Sequence, residues 1–250
     1  MPKFLLLRGL SRESRHWEGF PALLERGLGA AVQCVDAPGF GSEHRRVSPR
    51  TIAAITDDIR ERFGRGGPDW TLLGVSLGGM VALDWCARRP EDFGRVVVVN
   101  TSTAATPFFR RLTPSALPEI ALGSFKSDVR RELAILQRVT NHPASDRGEL
   151  AERWAGYIAE QRPSHTSLAN QILAAVLFRM PKHVSTPALV LAAREDRLVS
   201  ASSSETIAAR LRAPIRYHET AGHDLTLDDG PWVVRQIADW LRDPAAKTAA

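Results

Sequence analysis

Apolar residues follow this chain in two alternating rhythms. Residues 4–7, 31–35, 71–75 and 96–99 are short apolar runs with little polar interruption. Such runs predict strands buried on both faces. Between them an apolar residue recurs every third or fourth place, which predicts helices with one inward stripe. The first helical pattern starts at Ser14 and places Trp17, Phe20, Leu24 and Leu28 on one side. The second places Ile52, Ile55, Ile59 and Phe63 together, with Ser48 as cap, Pro49 at the first position and Gly64 as stop. A third begins directly after Ser76 and ends before Pro90.

From residue 101 to about 185 the alternation of strands and helices ceases. Helical patterns replace it: Val129, Leu133, Leu136 and Val139; Leu150, Trp154, Tyr157 and Ile158; Leu168, Ile172 and Val176. Strand, helix and strand then resume over residues 187–192, 206–211 and 215–218. A last helix follows Gly230, with Pro231 in its first turn and Val233, Ile237, Trp240 and Leu241 facing inward. The tail 243–250 is expected to fray. Regular strand–helix alternation implies a mostly parallel sheet with helices on both faces and right-handed crossovers. The expected organisation is one α/β core, residues 1–100 and 186–250, with a helical insertion at 101–185. In such sheets ligands bind at the carboxyl ends of the strands. That directs attention to the loops after Leu7, Val75, Ala192 and His218.

Composition narrows the classes. With 250 residues, 44% hydrophobic and 24% charged, the chain fits an ordinary globular protein with a substantial core. No apolar run is long enough to cross a bilayer, and residues 1–3 leave no room for a signal peptide before the first strand. Cys34 and Cys86 are too few for a disulfide scaffold and read as buried thiols in a reducing compartment, so a cytoplasmic location is expected. The net charge of +5 comes almost wholly from arginine, since only Lys3, Lys126, Lys182 and Lys247 are lysines. The arginines are scattered and no nucleic-acid motif accompanies them, so no nucleic-acid partner is expected. No HExxH, Cys/His cluster or GxGxxG suggests a metal or dinucleotide, and no cofactor is expected.

The sharpest local signal is Gly74-Val75-Ser76-Leu77-Gly78. A strand turning straight into a helix at one residue forces that residue toward positive φ, and flanking glycines relieve the crowding. Ser76 would then stand clear of the sheet at a helix N-terminus, where negative charge is favoured. A serine nucleophile needs a base, and the base needs an orienting acceptor. Of the seven histidines, His223 alone follows the last predicted strand. The acid is expected after the preceding strand, where Asp196 is preferred and Glu195 held in reserve. Asp36 reads as a loop-bracing residue. Donors for a developing oxyanion would be the backbone N–H groups of Leu10, after the first strand, and Leu77, after the serine.

The order Ser76, Asp196, His223 on this strand pattern resembles the α/β-hydrolase fold. So do the segments Asp36-Ala37-Pro38-Gly39-Phe40-Gly41-Ser42, Asp196-Arg197-Leu198-Val199 and Gly222-His223-Asp224. The resemblance covers essentially the whole chain and implies that the insertion is a cap over the site. It also implies that the family's opening hairpin is missing, leaving a sheet of about six strands. Where the family usually has His-Gly, this chain has Arg8-Gly9, which makes Arg8 a candidate for meeting substrate. Trp17 is a candidate pocket wall. Dehalogenases and epoxide hydrolases of the fold use aspartate at the elbow, so Ser76 points to ester or thioester hydrolysis of a small acyl substrate. The cap aromatics Phe108, Phe109, Phe125, Trp154, Tyr157 and Phe178 would mostly pack the cap and in part shape an acyl pocket. Its arginines would suit an acidic acyl carrier or a carboxylated substrate. The alternatives are a lyase or carbon–carbon hydrolase using the same residues, and a non-catalytic receptor.

Overall fold

The structure, a computed structural model, describes residues 1–107, 111, 128–141 and 144–243. The expectations for Phe108, Phe109, Phe125 and the tail from 244 lie outside the described residues. Six strands form one parallel sheet: β1 (Lys3–Leu7), β2 (Ala31–Cys34), β3 (Gly67–Val75), β4 (Phe93–Val99), β5 (Ala188–Ala193) and β6 (Ile215–His218). Their order is β2-β1-β3-β4-β5-β6. The chain leaves β1 toward one edge and returns to pair β3 on its other side, so the strand order reverses between β1 and β3. Such a reversal opens a crevice at the strand ends. Leu7 is in register with Gly74, Val75 with Val99, and Ala193 with His218, which brings the carboxyl ends to one edge.

Period two explains why the strands read as unbroken apolar runs. Leu5, Leu7, Leu72, Val96, Val98 and Val190 face one helical layer. Phe4, Leu6, Leu73, Val75, Val97, Val99, Leu189 and Leu191 face the other. The first layer is built on α2 (Ile52–Phe63), α3 (Leu77–Arg88) and α7 (Ala201–Leu211); the second on α1 (Phe20–Leu28) and α9 (Gly230–Arg242). Each fully buried Leu, Val or Phe is worth roughly 1.5–3 kcal/mol, so this double-sided core holds the site's loops in place.

Between β4 and β5 lie three described helices, α4 (Asp128–Val139), α5 (Ala144–Glu160) and α6 (His165–Leu177). Leu136, Leu150, Ala151 and Trp154 give the first two of these a small core of their own. A short helix, α8 (Leu225–Asp228), precedes α9.

Three local expectations change. The pattern from Ser14 is not one helix: a 3-10 turn at Ser14–Trp17 is followed by Glu18 at φ 49° and a fresh start at Phe20. Pro21 is the reason, because its ring is tolerated only in a helix's first turn. α2 is capped by Thr51, whose hydroxyl accepts the Ala54 N–H at 3.2 Å. Ser48 instead gives its own N–H to Ser167 Oγ at 3.1 Å. In α6 the buried face is Ser167, Gln171 and Ala174, while Val176 is exposed. That helix docks by hydrogen bonds, with Asn170 Nδ2 donating to the Ser48 carbonyl at 2.8 Å. Its apolar stripe therefore does not mark the docked face.

Candidate active site

Ser76 sits between β3 and α3 with φ 56° and ψ −116°. A non-glycine residue at such angles costs on the order of 1–3 kcal/mol, so its surroundings must hold it there. Its N–H donates to the Val99 carbonyl at 2.9 Å, and Thr101 Oγ1 donates to its carbonyl at 3.2 Å. The flanking glycines are required by backbone approach. A Cβ on Gly74 would stand 2.2 Å from the Gly78 carbonyl oxygen, and one on Gly78 would stand 2.1 Å from that of Leu7. Ser76 itself is only partly buried. Leu77 is the first residue of α3, where an N–H has no intrahelical acceptor. Across the crevice, a Cβ on Gly9 would lie 3.2 Å from Ser76 Cβ, so the main chain entering Leu10 runs beside the serine.

His223 follows β6 and Asp196 follows β5. Their side chains meet, Nδ1 to Oδ2, at 2.7 Å. Asp196 Oδ1 accepts the N–H groups of Leu198 at 2.8 Å and Val199 at 2.9 Å. One carboxylate oxygen is thus fixed by the backbone and the other faces the imidazole. Because an ionised carboxylate only accepts, the ring proton sits on Nδ1 and leaves Nε2 as an acceptor. Burial pulls the His223 pKa down, but the Asp196 charge and hydrogen bond outweigh it, and the net shift is upward. Glu195 is exposed and takes no such position.

Asn100, which cannot supply a carboxylate, has a supporting position in the site. It sits at φ 46°, its Nδ2 donates to the His223 carbonyl at 2.8 Å and its Oδ1 accepts the Ala193 N–H at 2.8 Å. It therefore ties the histidine loop to the end of β5. The available signal was an amide residue directly after a run of four valines. Asp36 accepts from the N–H and hydroxyl of both Ser14 and Ser42, a brace across two loops.

Arg8 and Trp17, the two candidates for contacting substrate, are engaged with each other. The guanidinium lies 4.7 Å from the Trp17 ring centroid, and Trp17 stacks on Phe20 at 5.6 Å. Arg8 also grips both oxygens of Asp224, at 3.1 and 2.5 Å, with all of these side chains buried. Burial would raise the Asp224 pKa, but Arg8 prevails and holds it below the usual carboxylate range. Arg8 thus locks the loop after β1 to the residue next to His223. Trp154 and Phe178 are buried, and Tyr157 packs edge-on to His16 at 5.6 Å. Among the described residues no group of three or more His, Cys, Asp or Glu is arranged to hold a metal ion. No described helix is long and apolar enough to cross a membrane.

A strained serine joins strand to helix at the carboxyl edge of this parallel sheet, in a strand–turn–helix arrangement flanked by glycines. The chain belongs to the Alpha/beta hydrolase family, whose sequence profile matches residues 4–236. The putative carbamate hydrolase RutD of Rhizobium rhizogenes is 28% identical over 172 residues, 65% of this chain and 63% of that protein. The pimeloyl-(acyl-carrier protein) methyl ester esterase of Aeromonas hydrophila is 30% identical over 173 residues, 63% of this chain and 64% of that protein. The matched stretch spans a little under two-thirds of these curated relatives. Among solved structures, the enol-lactonase from Burkholderia xenovorans superposes with TM-score 0.76 at 18% identity, covering 97% of this chain and 92% of that one. At that identity the likeness is one of fold.

Proposed function

We propose that this protein is a serine hydrolase that cleaves carboxylic ester or thioester bonds of small acyl substrates. The observation that carries this reading is the 2.7 Å His223–Asp196 pair on the same sheet edge as the strained Ser76. Ser76 Oγ attacks the carbonyl carbon while His223 Nε2 takes its proton, and Asp196 stabilises the imidazolium that results. The N–H groups of Leu10 and Leu77 receive the oxyanion. The proton then passes from His223 to the leaving oxygen or sulfur. Water, activated by the same nitrogen, releases the acid and restores the serine. Helices α4 to α6 act as the cap over the site. Arg8 serves in this reading as the brace between the oxyanion loop and the histidine loop.

Ester and thioester substrates are preferred over carbon–carbon cleavage because two relatives are named for cleaving acyl bonds to heteroatoms. A carrier-bound acyl group belongs among the substrates to be tried, since one of those relatives is named for one. A fluorophosphonate probe should label wild-type protein at Ser76, and p-nitrophenyl esters should be turned over. Ser76→Ala should lose both while keeping its unfolding midpoint. Residual turnover in that variant equal to wild type would remove Ser76 from the mechanism.

A further inference from the structure

The backbone around His223 is held from the side of the inserted helices as well as from the sheet. On the residue before it, the Gly222 N–H donates to Asp228 Oδ2 at 2.6 Å. On the residue after it, the Asp224 N–H donates to the carbonyl of Val139, the last residue of α4, at 2.6 Å. Asp228, which ends α8, is itself bound to the insertion. Thr140 Oγ1 donates to its Oδ1, and the Asn141 N–H donates to its Oδ2 at 2.9 Å. Asn141 Nδ2 donates to the Thr220 carbonyl at 2.8 Å, earlier in the same loop. The approach is close: a Cβ on Gly222 would stand 2.9 Å from the Val139 carbonyl oxygen. Arg197, next to Asp196, donates to the Thr140 carbonyl at 2.9 Å, so the same end of α4 also meets the acid's loop.

A carboxylate suits position 228 because it only accepts, and its two oxygens offer about four lone-pair sites. It can therefore take one N–H from the histidine loop and an N–H and a hydroxyl from the insertion at once. The His223 carbonyl is tied to Asn100 at the end of β4, which fixes the sheet side of this backbone. The insertion fixes the other side. A side chain's reach follows its backbone, and a shift of about 1 Å caused far from the reacting atoms can cost about a hundredfold in rate. We propose that Asp228 is a positioning residue for His223, through which the end of α4 fixes where the imidazole stands. This rests on the hydrolase reading for the use of His223, and on the bonds to Gly222, Thr140 and Asn141 for its placement.

Asp228→Ala removes those three contacts. Asp228→Asn can keep them, because its amide oxygen can accept both N–H groups and its amide nitrogen can donate to Thr140 Oγ1. Turnover of p-nitrophenyl acetate gives kcat and KM. The low-field proton resonance of His223 Nδ1–H, assigned by its loss in His223→Gln, reads the contact with Asp196 without catalysis. In Asp228→Ala, kcat should fall by about ten- to a hundredfold with KM nearly unchanged, and the resonance should broaden or move upfield. Asp228→Asn should restore both. An unchanged resonance, a loss confined to KM, or an Asp228→Asn protein as impaired as Asp228→Ala would each overturn the positioning role. A changed resonance in Asp228→Ala, with no ester turnover by the wild type, would keep that role and remove the esterase reading. If Asp228→Ala does not fold, Asp228→Ser, whose hydroxyl is too short to hold both sides, is read by the same two measurements.

Discussion

Arg8 shows how much of this site depends on contacts that local sequence does not reveal. Its partner Asp224 lies 216 residues away, and each side chain is nearly inaccessible to water. Removing one member of a buried pair leaves the other as a desolvated charge, at a cost of about 3–5 kcal/mol. Arg8→Met should lower the urea unfolding free energy by that amount. The double variant Arg8→Met/Asp224→Leu should recover most of it, because an apolar pair leaves no charge stranded. Equal losses in single and double variants would show that the pair itself, and not a stranded charge, accounts for the loss. The residues of the proposed chemistry differ: residue type and strand position single out Ser76, Asp196 and His223, and the structure brings the last two into contact. Type and position do not single out their supports. Asn100 and Asp224 look like ordinary polar residues until the backbone brings their partners to them.

Elements were legible wherever burial was two-sided and apolar. β1, β4 and β5 could be read from unbroken runs, and α9 from its inward stripe, because one force dominates each of them. α6 could not, since its docked face is held by Ser167, Asn170 and Gln171 rather than by its leucines. Hydrophobic periodicity reports burial of apolar surface and is silent about polar docking. α1 was misjudged at its start because the pattern runs through Pro21, whereas the backbone cannot. The β3–α3 elbow is the element with the least freedom. Gly78→Ala would drive a methyl group to 2.1 Å from one backbone oxygen and 2.7 Å from another, and neither can retreat as a side chain could. That variant should be destabilised by at least about 3 kcal/mol, beyond ordinary overpacking, and should lose probe labelling at Ser76. Gly148→Ala, where nothing lies within 4 Å, should be tolerated in the same unfolding assay.

At the scale of the whole molecule, stability should carry a pH signature set by a histidine outside the proposed chemistry. His16 is buried, its Nδ1 accepts the Glu13 N–H at 3.1 Å, and its Nε2 has no partner among the described residues. Burial first, and the charges of Arg12 and Arg8 next, push its pKa far below the ordinary value. Below about pH 6.5 the unfolded chain binds a proton there that the folded one refuses. Stability should therefore fall by up to about 1.4 kcal/mol per pH unit through that range. His223 has the opposite sign: its raised pKa gives a contribution fully present below the unfolded value and lost as pH rises through the folded one. It therefore adds no acid slope of its own. His16→Phe should flatten the loss measured by chemical denaturation between about pH 6.5 and 5. An unchanged slope in that variant would assign the effect elsewhere. The fold class was legible because regular strand–helix alternation implies a parallel sheet covered on both faces; the strand order, which that alternation leaves open, is read from the structure.

The clasp between Arg8 and Asp224 also has a consequence in time. It joins two positions 216 residues apart, so it cannot close until translation has passed Asp224. A nascent chain halted before β6 has no clasp to steady the loop after β1.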